Sequence, residues 1–517
     1  MRKKFGWVSL LAALMLVLAA CGGNSSNGGS ASNEGNAAGN AAGETNETAG
    51  NGGEEPYEIV YAYPTFENVP ADILLVQDEI NKITKAKINA TVKLLPISNS
   101  AFTNQINLML SSGEKLDMFA MLGNYSTQVS RGALYPIGDI METNAKGTID
   151  ALGEDYYNAT KVNGVSYGVP SIRDLAQDFG FVLRKDVVDK HAIDLGQVKT
   201  FDDFEKIFKV IKDNEPGMVG ATSLANGSIL STYKTHDPLG NDLGVLLNNG
   251  LDELKVVNWF ASEEFERIVR KLRDWYQAGY LLKDAATNPE SNQAVVKSGK
   301  AAGWLSAMKP GFEAQESRNV GLEMVAVRTA PAVAKTDTVT NVTIGVAATS
   351  KNPAKTLQFL NLMYTDKEIV NLIDWGIEGK HYVKLDGRDN MIQYPDGVTG
   401  DNVGYKNYSW MHGNQFLSYV FEGDDPDVYS KMDEFNKSAA KSKALGFSFN
   451  GESVKNEIAA CNAVLEQYRR VLESGAADVD KVLPEFLKKL EDAGIGKIIE
   501  EKQHQLDAWA AANGGAQ

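Results

Sequence analysis

At 517 residues the chain is long enough for three or four compact units of about 150 residues each, with a large buried interior. Its net charge of −16 at pH 7 leaves no cationic excess to release counterions from a phosphate backbone, which argues against nucleic acid and polyanionic ligands. Its 43% hydrophobic and 9% aromatic residues exclude a disordered polymer, and its two cysteines, Cys21 and Cys461, exclude a disulfide scaffold.

Arg2, Lys3 and Lys4 form a basic start, followed by an apolar run over 5–20 that is short for a membrane span and ends in Leu18, Ala19, Ala20 and Cys21. That ending resembles a bacterial lipobox. The resemblance implies cleavage of a signal peptide over 1–20 and diacylglycerylation of Cys21, with more than one acyl chain giving stable anchoring. The alternative is an ordinary signal peptide or a short anchor helix with an incidental cysteine. Residues 22–55 carry no Lys, Arg, aromatic or aliphatic side chain larger than Ala, so 21–55 is expected to be a lipidated cysteine followed by a disordered tether. No later stretch reads as a transmembrane helix.

From Pro56 the pattern changes. Residues 57–63 read as a strand, 71–85 as a helix with Ile73, Val76, Ile80 and Ile83 on one face, and 88–95 as a second strand. A helix around Phe102, Ile106 and Leu110 stops at Gly113, and a short apolar strand over 116–122 ends in Gly123, Asn124 and Tyr125. Further on, 178–184 is strand-like, 201–213 and 265–278 are helical, 342–348 is β-rich and 353–364 helical. Repeated βα alternation predicts parallel sheets flanked by helices, with ligand crevices beyond the C-terminal ends of the strands. It runs too long for one sheet, so two α/β lobes are expected. Val454, Ile458, Cys461, Leu465, Tyr468 and Leu472 then form one helical stripe, and helices with Phe486, Leu487 and Leu490 and with Ile498, Leu506 and Trp509 follow. Cys461 on that stripe is expected to be core rather than redox-active.

The order of several stretches resembles the extracellular solute-binding proteins of ABC importers, their carbohydrate-binding branch in particular. These are SSGEKLDMFAML (111–122), GALYPIGDIM (132–141), NGVSYGVP (163–170), TFDDFEKIFKVIK (200–212), SGKAAGWLS (298–306) and GVAATSKNPAKTLQFLNLMYTDKEIVNL (345–372). WGIEGKHY (375–382) and the tail from about 445 resemble a Gram-positive lipoprotein subgroup with an extra C-terminal helical domain. The resemblance implies an α/β, two-lobed, periplasmic-binding-protein-like type II fold with interlobe hinge strands and a C-terminal helical appendage. Lobe one is then expected over 56–170 plus 303–346, lobe two over 171–302 plus 347–444, and the helical domain over 445–517. Crossings between lobes are expected at 168–172, 301–306 and 344–350, with Gly168 and Gly303 suited to hinge rotation.

Catalytic motifs are weak by comparison. Gly164 to Gly168 spells G-x-S-x-G, but a turn precedes it, Val165 to Val169 alternates like a strand, and Pro170 replaces the helix that a nucleophile elbow needs. The five histidines, His191, His236, His381, His412 and His504, show no metal-ligand spacing. Asp424, Asp425 and Asp427 read as a solvated acidic turn, since Pro426 and a missing Gly and Glu spoil a calcium loop.

A sugar offers apolar C–H faces to aromatic rings and hydroxyls to planar polar groups, so a sugar cleft needs both. Candidates near strand ends or the expected crossings are Tyr63, Asn124, Tyr125, Arg173, Asp174, Trp304, Trp375, Glu378 and Trp410. The expectation is a membrane-anchored, extracellular, monomeric receptor without a cofactor. It captures a solute, an oligosaccharide foremost, and delivers it to ABC importer permease subunits. A surface glycan hydrolase or lyase, and a receptor for a peptide or other small metabolite, remain as alternatives.

Overall fold

The computed structural model describes residues 55–513. The expected signal peptide, Cys21 and nearly all of the tether lie outside those residues.

Two five-stranded sheets organise the chain. In the first, the spatial order is Ala90–Ser98, Tyr57–Thr65, Met118–Leu122, Val342–Val346 and Gly168–Pro170. Tyr57–Thr65 is parallel to the strands on both sides of it, and Val342–Val346 is antiparallel to both of its own. Tyr57–Thr65 is buried on both faces from Ile59 onward, which explains a β-branched and aromatic run without polar alternation. Helix Ile73–Ile88 seats Val76 and Ile80 on this sheet and ends at Asn89, whose φ of 46° is a left-handed conformation that asparagine tolerates. Its Gln77 and Asn81 carboxamides accept from the backbone N–H of Leu94 (2.9 Å) and Val92 (2.6 Å), covering amides of the edge strand that have no neighbouring strand to pair with.

The second sheet has the order Ala440–Lys441, Met324–Ala334, Gln177–Arg184, Ala301–Met308 and Val219–Ala221, with Gln177–Arg184 antiparallel to both of its neighbours. Its core is dense in aromatics: Trp275, on helix Glu263–Gln277, stacks on Phe201 at 4.9 Å and meets Phe208 edge-on at 5.0 Å. The C-terminal helices Lys455–Glu473, Val479–Asp492 and Ile495–Ala512 share this core, with Cys461, Phe486 and Ile498 in the same cluster as Phe179 and Phe260. Burial pushes the Cys461 thiol up to about 11, in keeping with a packing role.

The chain passes between the sheets at 171–176, at 335–341 through the short helix Thr336–Val339, and at 439 after helix Val428–Ser438. Only the first of these overlaps an expected crossing. Residues 301–306 are not a crossing, because Ala301–Met308 lies inside the second sheet, and 344–350 leaves the first sheet without entering the second. Within the 303–346 segment expected in lobe one, only Val342–Val346 joins the first sheet; 303–334 is corrected likewise, since Met324–Ala334 also pairs in the second sheet. In turn, helices Pro353–Thr365 and Lys367–Trp375 pack on the first sheet, burying Leu357, Leu360, Met363 and Ile369 beside Ile59 and Tyr61, so the 347–444 segment is not wholly lobe two. Gly303 serves the sheet rather than a hinge: a Cβ there would lie 2.0 Å from the Val182 carbonyl oxygen.

Candidate binding cleft

The first crossing delivers Arg173 and Asp174 to the space between the sheets. Arg173 Nε donates to Asp174 Oδ1 at 2.5 Å, and Lys309 Nζ, just beyond the end of strand Ala301–Met308, stands 3.5 Å from the same oxygen. Burial raises the Asp174 carboxyl, but Lys309 and Arg173 outweigh it and hold the group below the ordinary carboxylate range. The site therefore keeps an ionised carboxylate between two cations at neutral pH.

The Arg173 guanidinium also lies 5.4 Å from the centre of the Trp410 ring. Trp410 continues into an aromatic ledge, with Tyr408 at 6.0 Å, Phe66 at 6.2 Å, and Phe66 edge-on to Tyr408 at 5.4 Å. Phe66 follows strand Tyr57–Thr65 and is 50% exposed, so the ledge is open to solvent at this end. A cavity of about 700 Å³ runs along this ledge from Tyr63 past Glu67 to Asn407.

Two further cavities adjoin at the second crossing, sharing Asp337 and Asn341. The first, of about 280 Å³, is lined by Arg173, Asp174, Gln177, Phe179, Lys234 and Lys335 among others. Lys335 is buried, donates to the His236 carbonyl (3.1 Å) and Asn249 Oδ1 (3.2 Å), and sits 4.9 Å from the Phe179 ring centre. Burial lowers its pKa while Asp337 and Asp237 pull it back. The second cavity, of about 450 Å³, has Asn124 and Tyr125 on one side, Leu239 to Asn241 on another, and Phe447 and Phe449 at its end. Burial, with Asp337 nearby, pushes the Asp237 carboxyl up to about 6.

Of the nine residues singled out from the sequence, Arg173, Asp174 and Trp410 come together at one place. Asn124 and Tyr125 line the second cavity, Tyr125 with its hydroxyl donating to the Thr160 carbonyl at 2.6 Å. Tyr63 lines the ledge cavity, largely buried, with its ring edge-on to His412 at 4.8 Å. Trp304 is a correction: it is 3% exposed in a cluster with Val182, Val295, Phe312 and Met324. Trp375 and Glu378 line none of these cavities. The Trp375 indole donates to Ser418 Oγ and the Tyr419 carbonyl and stacks on Phe421 at 5.6 Å, while Glu378 is exposed and paired with Lys384 at 3.0 Å. Phe66, Phe179, Lys234, Lys335, Asp337, Asn341, Tyr408 and the 447–449 segment are not among those nine; for them the one signal in the sequence is Phe66, an aromatic directly after the buried strand Tyr57–Thr65.

Ser166 belongs to a two-stranded hairpin, Lys161–Val162 with Val165–Ser166, rather than to a strand-to-helix elbow. Asp424 and Asp425 are ion-paired with Arg318 and Lys431. Among the described residues, no group of three or more His, Cys, Asp and Glu side chains could hold a metal ion, and no helix is long and apolar enough to cross a membrane.

Two sheets bridged by short crossings over a polar cleft are a fold shared with known proteins. The profile of the family described as bacterial extracellular solute-binding protein matches residues 73–369, more than half of the chain. The chain belongs to that family. A second profile, a domain of unknown function (DUF3502), matches residues 443–511 of this solute-binding protein, where the C-terminal helices lie. It is 28% identical over 439 residues to a carbohydrate ABC transporter substrate-binding protein of Streptococcus pneumoniae serotype 4, covering 83% of this chain and 86% of that one. Among solved structures, the N-glycan transport solute-binding protein NgtS of Streptococcus pneumoniae matches with a TM-score of 0.77 at 25% identity, over 87% of this chain and 98% of NgtS. NgtS in complex with Man1GlcNAc gives 0.68 at 25% identity (87% and 99% covered), and in complex with Man5GlcNAc 0.66 at 24% (88% and 99%). The two-lobed α/β fold with a helical C-terminal region is thus the fold of solute-binding proteins, and such proteins act outside the cell.

Proposed function

We infer that this solute-binding protein captures an oligosaccharide in the interlobe cleft, closes its lobes on it and hands it to the permease subunits of an ABC importer, without chemical change to the sugar. The observation that carries this is the Phe66, Tyr408 and Trp410 ledge beside the Arg173, Asp174 and Lys309 cluster. Aromatic faces match the C–H faces of a pyranose, and a fixed guanidinium, carboxylate and ammonium match its hydroxyls. The carbohydrate relative and the NgtS complexes support the same ligand class. In this reading the protein is a monomer held at the outer face of the membrane through lipid on Cys21, and residues 22–55 give the receptor its reach.

Calorimetric titration of the mature protein with Man1GlcNAc and Man5GlcNAc, followed by chromatography of the recovered sugar, tests the reading. Saturable binding with intact glycan returned is the expected result. Shortened products would make the protein a hydrolase or lyase, and binding of peptides in place of any sugar would move it to another solute class.

A further inference from the structure

The 450 Å³ cavity at the Asn124 end of the cleft is closed by two elements that converge on one buried ammonium. Lys502, on helix Ile495–Ala512, is fully buried. Its Nζ donates to the carbonyl oxygens of Gly244 (2.7 Å), Asn241 (3.2 Å) and Pro238 (3.4 Å) and to Asn241 Oδ1 (3.1 Å). All four oxygens belong to the loop 237–244, whose Leu239, Gly240 and Asn241 line the cavity. The same ammonium lies 5.0 Å from the centre of the Phe449 ring, the cavity's other end wall.

The loop needs such an anchor. Leu239 sits at φ 49°, a conformation a leucine rarely adopts, next to Gly240 at 93°, and Gly244 follows at 97°. Four carbonyl-type oxygens converge here in a buried space, and an ammonium, with three protons of which one is shared, can serve them together. Burial pushes the Lys502 pKa down to about 7, and Asp242 and Asp237 on the loop pull it back. A second tie comes from Arg469 on helix Lys455–Glu473, which donates to Asp242 Oδ2 at 2.6 Å. On the opposite rim, Ser448 Oγ is 2.8 Å from Ser126 Oγ, joining the wall to the first lobe.

We propose that Lys502 is a positioning residue for an end wall of the cleft, built from the loop 237–244 and Phe449, which sets how long a sugar chain the cleft accepts. The C-terminal helices would then be part of the binding machinery rather than an appendage. The length selectivity rests on the oligosaccharide reading above; the positioning of the wall does not. A sugar chain starting at Arg173, beside Trp410, would run past Asp337 and Asn341, which the two cavities share, and meet this wall.

The test compares wild type with Lys502→Met, Lys502→Gln and the control Lys497→Met, a change on the same helix at an exposed lysine. Amide hydrogen exchange is read across the chain, and affinities for Man1GlcNAc and Man5GlcNAc are measured by calorimetry. In Lys502→Met, exchange over 237–244 should rise about tenfold or more while Gln177–Arg184 stays protected, and the Man5GlcNAc affinity should drop about tenfold with Man1GlcNAc little changed. Lys502→Gln, which keeps two donors, should fall between, and it decides the matter by the same criteria if the Met variant does not fold. Unchanged exchange over 237–244, or equal loss for both glycans, overturns the proposal. If wild type binds neither glycan, the oligosaccharide reading fails, and the exchange comparison alone decides whether Lys502 positions the wall.

Discussion

The Asn436 side chain clasps Arg173: its Nδ2 donates to the Arg173 carbonyl oxygen at 2.6 Å, while its Oδ1 accepts from the Leu175 N–H at 2.9 Å. Asn436 sits near the end of helix Val428–Ser438, where the third crossing begins, so the third crossing holds the first in place. The clasp thus ties the first and third crossings to each other.

Asn436→Ala leaves a buried N–H and a part-buried carbonyl without this partner, and should cost about 1 to 3 kcal/mol of stability. Urea unfolding measures that cost, and spin-label distances between the lobes should broaden in the ligand-free protein. A variant as stable as wild type with an unchanged interlobe distribution would show that the clasp does not hold the hinge.

Trp410→Ala removes the ring between Arg173 and the Phe66 ledge. By analogy with base stacking on aromatic side chains, the loss should be about 1 to 3 kcal/mol of glycan binding, or roughly 5- to 150-fold in Kd. Because the indole is only part-buried, unfolding should shift little. Calorimetry paired with thermal unfolding separates the two, and undiminished affinity would remove Trp410 from the site.

Trp304→Ala should behave in the opposite way, costing about 3 to 5 kcal/mol of stability through the cavity it leaves among Val182, Val295 and Phe312. Glycan affinity of the folded fraction should stay at the wild-type value. A loss of affinity with intact stability would return Trp304 to the cleft.

Asp374 is buried beneath the first sheet, and burial pushes its carboxyl up from 3.8 to about 8, with Ser418 pulling slightly the other way. Between those values the native state keeps a proton that the unfolded chain has released, so its contribution to stability falls as pH rises. Asp374→Asn, neutral at every pH, should equal wild type near pH 3.5 and gain on it steadily to about pH 8, by an amount on the order of 2 to 4 kcal/mol at pH 7. Urea unfolding across that range checks the sign; a difference that is flat with pH would mean that Asp374 ionises normally.

Cys21→Ala should release the protein from membranes and abolish incorporation of labelled fatty acid. Labelling that persists in the variant would overturn the lipobox reading.

Strands and helices were legible where period and composition agree. Helix Pro353–Thr365 and strand Gln177–Arg184 lie within a residue or so of their expected bounds, because proline at the start of one and a short apolar run from Phe179 to Leu183, closed by charged residues, in the other leave little choice. Partnership was not legible. Ala301–Met308 is buried on nearly every residue, so its sequence carries no face preference and says nothing about which sheet it joins. For the same reason Trp304 read as a cleft residue: an indole in a core and an indole in a cleft look alike in sequence. Arg173 and Asp174 were visible as adjacent opposite charges just after an apolar strand. Lys335 and Lys502 were not, since a lysine that surrenders its proton donors to carbonyl oxygens is spelled the same as one in solvent.

The joint core of the second sheet and the last three helices constrains the order of events at synthesis. Phe179 and Ile498 belong to one packed cluster, so lobe two cannot finish folding until residues near 500 have been made. Contacts this distant in sequence close late and slowly. A nascent chain that stays loose for so long remains threadable, and an exported protein crosses a membrane most easily in that state.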